Sequence, residues 1–157
     1  MALKGDRQVV DVDISFFMDE VAERGGIASY STVGSGAALD QSQALVTYST
    51  TQSGNVPVGL LMNDMVNIDL TRQHINWHKD EMQKGGKVCL LRRGWVVTNM
   101  IQGTPVAKSR AYLSNSGFVS PTFTNGLATP FVGEFMTAKD EDGYAKLFVN
   151  LPAATVI

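Results

Sequence analysis

His74 and His78, four residues apart, with Glu81 three residues further on, come nearest in type and spacing to a reactive centre. On a helix that spacing sets both imidazoles on one face with a carboxylate close by, as a three-ligand metal site requires. The established two-histidine motif places a glutamate directly after the first histidine, where it serves as base. Here Ile75 holds that place. The pair lies in a polar segment, Thr71 to Lys84, that reads as a long loop or as a short helix opened by Thr71, and the sequence leaves both open. Solvated surface histidines are the better reading, so no metal is expected, and a small metal hydrolase built on these three residues ranks last among the function classes.

The other reactive residue types are no better arranged. Asp11 and Asp13 fall on one side of an alternating strand, and Asp140-Glu141-Asp142 precedes Gly143 at what reads as a hairpin tip. That triplet lacks the fixed oxygen series of a calcium loop. Gly34-Ser35-Gly36 lacks the spacing of a nucleophile elbow. No glycine-rich piece is followed by Lys-Ser or Lys-Thr, as a phosphate cradle requires. Cys89, the single cysteine, sits in the apolar run Lys87-Val88-Cys89-Leu90-Leu91, where a small buried hydrophobe is the expected role. The chain is therefore expected to be no enzyme and to carry no cofactor.

Composition narrows what remains. Of 157 residues, 44% are hydrophobic, enough for a real core, and only 18% are charged, against ~25% in average soluble domains. A net charge of −2, with Arg92-Arg93 and Arg110 scattered, gives no footprint for nucleic acid. Neither a signal peptide nor an apolar window of membrane-span length is evident, which sets the expectation of a protein made in a reducing cytoplasm with no membrane partner. Seven Met and seven Phe among few charges suit a surface meant to be covered.

The elements that would position any site read as β. Between Gly85-Gly86-Lys87 and Gly117-Phe118-Val119, the short apolar pieces Cys89–Leu91, Trp95–Val97, Ala111–Leu113 and Phe118–Val119 alternate with Gly94, Gly103 and Gly117, the pattern of a small barrel of tightly turned strands. Leu45 to Thr50, Val56 to Leu61 and Val66-Ile68-Leu70 read as further strands. Asp142-Gly143 supplies a hairpin turn, after which Ala145, Leu147, Val149 and Leu151 fall on one face. At the front, Val10, Val12, Ile14 and Phe16 alternate with Asp11, Asp13 and Ser15. Met18 to Gln43 then shows no sustained period. This predicts a mainly β fold, a small β-barrel or β-sandwich, with residues 1–43 as an N-terminal arm plus flexible Gly/Ser-rich segment and residues 44–157 as the barrel domain.

The order Val58-Gly59-Leu60-Leu61-Met62-Asn63-Asp64, a polar excursion, Gly85-Gly86-Lys87-Val88, the small-strand barrel and Tyr112-Leu113-Ser114-Asn115-Ser116-Gly117 resembles the head-decoration (capsid cement) proteins of tailed bacteriophages. The resemblance spans roughly residues 44 to 151. It implies a β-tulip-like fold and a virion protein on the capsid exterior, commonly a homotrimer, that clamps neighbouring major capsid subunits, and it brings no catalytic residue. On that view the arm is the clamp, with Val10, Val12, Ile14, Phe16 and Phe17 contacting capsid or a sister subunit, and removal of residues 1–17 leaves a folded core. The rival class is a small β-barrel ligand-binding module, for example for carbohydrate. That class needs exposed aromatics, whereas of Trp77 and Trp95 at least one is expected in the core.

Overall fold

In the computed structural model the chain is described over residues 2–14, 16–31, 45–48, 50, 55–62, 81–82, 84–123 and 130–151. The strands in chain order are β1 (Leu3–Asp13), β2 (Phe17–Met18), β3 (Ala22–Glu23), β4 (Ile27–Tyr30), β5 (Leu45–Thr47), β6 (Pro57–Leu61), β7 (Glu81–Met82), β8 (Leu90–Thr98), β9 (Arg110–Leu113), β10 (Val119–Ser120), β11 (Phe131–Phe135) and β12 (Ala145–Asn150). The fold is mainly β, as the apolar-glycine pattern predicts. One mixed sheet runs β10-β9-β11-β12-β8-β6-β4-β5-β2, with only β2 and β5 parallel, and β3 pairs β7 apart from it.

β8 is the spine. Leu90 and Leu91 pair both with β1 and with β6, while Arg93 to Thr98 pair with β1 and with β12. A strand has two edges, so β1 lies along one edge throughout and β6 and β12 share the other. Arg92 stands at this fork. Its guanidinium donates to the Val58 carbonyl at 3.1 Å and the Leu151 carbonyl at 2.7 Å, tying the entry of β6 to the exit of β12. Both ends of the sheet curl back to the chain beside β8. Met18 N–H donates to the Gly86 carbonyl at one end, and Val119 N–H to the Met100 carbonyl at the other.

The spine and the two residues before it feed two cores, alternating from Val88 to Leu91 and changing parity before Val96. Cys89, Leu91 and Val96 enter a core with Leu147, Val149 and Phe135, while Val88 and Leu90 enter another with Met18, Val46 and Met82. β6 does the same, sending Leu60 to the first and Leu61 to the second. It is therefore buried at all five positions and shows no amphipathic alternation, as expected of a strand covered on both faces. Cys89 is buried, as its apolar run implies. The hairpin at Asp142-Gly143 forms as read: Gly143 has φ +86°, the Asp140 carboxylate accepts from the Asp142 and Tyr144 N–H groups, and Ala145, Leu147, Val149 and Leu151 are all buried.

Two expectations are corrected, and a third group falls outside the described residues. Gly94 does not end a short strand; it lies at φ +143° inside the continuous nine-residue β8, where the absent Cβ lets β1 approach. The described part of residues 1–43 does not stand off as an arm. β1 pairs with β8 and β4 lies between β5 and β6, because Gly25, Gly26, Ala28 and Ser29 are small enough for a packed wall although their sequence carries no hydrophobic period. The strand expected over Val66-Ile68-Leu70, the Gly34-Ser35-Gly36 piece and the His74/His78 segment lie outside the described residues.

Tyr48 ties this wall to the 3-10 turn at Asn115–Gly117. Its hydroxyl donates to the Glu23 carbonyl at 2.6 Å and accepts from Gly26 N–H at 3.1 Å, and its ring lies where a Cβ on Gly117 would fall. Burial first, then the Glu23 and Glu20 charges, push the phenol well above its ordinary value of 10.0, against the lowering effect of the Gly26 hydrogen bond. The folded chain therefore keeps this proton where the unfolded chain releases it. Stability that is full below pH 10.0 is expected to fall as pH rises beyond it, by up to about 1.4 kcal/mol per pH unit. Urea midpoints of the parent and of Tyr48→Phe should keep a constant separation below pH 10.0, with the parent's falling relative to the variant's above it; parallel curves across that range would remove Tyr48 as the cause.

Candidate functional site

β1 is the surface that the alternation in the sequence singles out. Its register along β8 shifts between Val9 and Asp11 and again between Asp11 and Val12, so the strand is bulged and its apolar residues are not confined to one face. Val9, Val10, Val12 and Ile14 are 42%, 59%, 39% and 49% exposed. Among the described residues β8 is the only strand that pairs with β1, which leaves an outer edge eleven residues long. An edge of that length with exposed valines is a template for a further strand.

The five residues expected to make the contact divide. Val10, Val12 and Ile14 are outward and exposed. Phe16 is 9% exposed and belongs to the second core, its ring edge-on to Tyr30 at 5.5 Å. Phe17 is half-buried, paired with Leu45 of β5 and bridged to Lys87. The reason is the end of β1 at Asp13: Phe16 carbonyl then accepts from Val88 N–H, and the chain turns into β2 against Gly85–Val88. Phe16 and Phe17 therefore anchor β1 to its own body and are not part of the outward row.

A second surface lies on the outer face of β1, β8, β12, β11 and β9. Cross-strand register aligns Gln8, Trp95, Phe148, Glu134 and Arg110 in one row. Trp95 is half-buried here and not in the core; its indole N–H donates to the Gln8 side-chain oxygen at 3.1 Å and Lys146 Nζ sits 3.8 Å from its ring centre. Trp77 lies outside the described residues. Arg110 is turned toward Phe131, 5.9 Å from the ring, which in turn meets Tyr112 edge-on at 6.0 Å. Between Phe131 and Phe148 the face opens into a groove of about 240 Å³, lined also by Gly133, Glu134 and Asn150. The sequence held one sign of this face: Phe148 is the aromatic at an outward position of the alternation Lys146, Phe148, Asn150.

Among the described residues no three His, Cys, Asp or Glu stand together as a metal site would need, and no helix is long and apolar enough to cross a membrane. His74 and His78 lie outside those residues, as does the Glu81 side chain. No protein-family model matches the chain, and no curated protein matches it.

Proposed function

We propose that this chain is a structural protein that docks on the exterior of a tailed-phage capsid and stabilises it by clamping neighbouring major capsid subunits. The observation that carries the reading is the outer edge of β1, along which, among the described residues, no second strand pairs, with Val10, Val12 and Ile14 exposed. Adding a strand there joins backbone hydrogen bonds, which give affinity, to contacts with the exposed Val10, Val12 and Ile14, which favour one partner. The resemblance of residues 44–151 to decoration proteins supplies the partner class and the homotrimer, and the low charge density agrees with a surface made to be covered. The contact is non-catalytic and takes neither cofactor nor nucleic acid.

The test is a double substitution, Val10→Lys with Val12→Lys, on the full chain. Both side chains already face solvent, so the variant is expected to keep its circular dichroism and melting temperature, while lysines along an edge oppose strand addition. Binding to expanded phage heads, followed by sedimentation, and the heat resistance it confers should fall at least about tenfold, the equivalent of ~1.4 kcal/mol. Undiminished binding by the folded variant would overturn the proposal. Loss of self-association with capsid binding intact would assign the edge to a sister subunit instead.

A further inference from the structure

We infer that the groove between Phe131 and Phe148 is a binding site for one neutral saccharide residue, a function separate from the β1 edge. At about 240 Å³ it falls below the ~300–1,000 Å³ of sites for drug-sized ligands and suits a single small ring. Two half-buried phenyl rings flank it, and the Glu134 and Asn150 side chains, both exposed, reach its rim. Strand alternation puts polar residues on the open face of an antiparallel sheet, so outward phenylalanines there call for a covering group.

Charge decides among ligand classes. Glu134 stands opposite Arg110 in register, yet the Arg110 guanidinium lies over Phe131, and among the described residues the Glu134 carboxylate forms no ion pair. An anion would meet that carboxylate. A cation would meet Arg110, Arg93 opposite Asn150, and Lys146 two residues along β12 from Phe148. A neutral polyol uses both signs: its hydroxyls donate to Glu134 and exchange hydrogen bonds with Asn150. Its weakly positive C–H face lies on the negative face of an aromatic ring. The faces of Trp95 and Phe131 are already approached by Lys146 and Arg110, which leaves Phe148 as the stacking ring.

The experiment is an amide chemical-shift titration of the full chain with the methyl glycosides of glucose, galactose, mannose and N-acetylglucosamine, each alone. At least one should give saturable shifts confined to residues 131–134 and 148–150, with a dissociation constant on the order of millimolar for so small a ligand. Phe148→Ala should abolish the shifts, and Glu134→Gln, at an exposed position that leaves the fold intact, should weaken binding about fivefold or more. The inference is overturned if none of the four sugars gives saturable shifts, or if Glu134→Gln binds as the parent does. It is also overturned if tetramethylammonium or acetate, offered at the same concentrations, saturates the groove more tightly than any sugar. Capsid binding by Glu134→Gln should be unchanged, so this result stands or falls independently of the β1 proposal.

Discussion

Replacing Gly94 by alanine is expected to be one of the most damaging single substitutions among the described residues. The residue sits at φ +143°, and an added Cβ would stand 2.1 Å from the Gln8 carbonyl oxygen, inside the β1–β8 ladder. Neither atom can yield, because the contact is backbone on one side and the new Cβ is fixed by its own backbone on the other. Backbone strain of ~1–3 kcal/mol adds to overpacking of ~1–3 kcal/mol, so a loss of roughly 3 kcal/mol or more is expected. Chemical denaturation of Gly94→Ala reads this directly, and amide exchange should rise first along β1, which the substitution pushes off β8. A midpoint within experimental error of the parent's would show that β1 does not press on β8 as described.

Removal of residues 1–17 should abolish cooperative folding. The sequence alone suggests the opposite, since a strand followed by a stretch without hydrophobic period looks detachable. In the fold the segment carries Leu3, 1% exposed, into the first core and Phe16 into the second, and it covers one edge of β8 from Leu90 to Thr98. Deleting a buried Leu and a buried Phe costs ~2–5 and ~3–5 kcal/mol. Together they match the ~5–15 kcal/mol that holds a whole domain. The truncated chain is expected to show no sigmoidal denaturation and no dispersed amide spectrum. A truncated protein with both would return β1 to the status of an independent arm, and for this reason the capsid proposal is tested by substitution and not by deletion.

The β1 row shows where legibility ended within a single element. Alternation from Val10 onward identified a strand and its exposed valines, but it extended the row to Phe16. Periodicity carries no information about where a strand leaves its neighbour. The departure is set by Val88 N–H, more than seventy residues away in sequence, and by the second core that takes the phenyl ring, whose members run from Met18 to Leu90. The same limit holds at Trp95, where register against Gln8 and Phe148, not the apolar neighbours Val96 and Val97, turns the indole to the outer face.

What the sequence determined by itself was local: short glycine-punctuated apolar runs that can only be strands, the Asp142-Gly143 hairpin with its four buried partners, a Cys89 destined for the interior, and a surface poor in charge. Each follows from backbone freedom or side-chain polarity within a few residues. The tertiary structure alone decided that β8 would serve as a spine shared by two cores, that β1, β2 and β4 would be built into one sheet with it, and that Phe131, Glu134, Phe148 and Asn150 would meet around one groove. Those outcomes depend on which strand edges pair, and strand pairing is a choice among distant segments that share the same alternating pattern; close backbone approach at Gly94 and the double burial of β6 select one pairing from many.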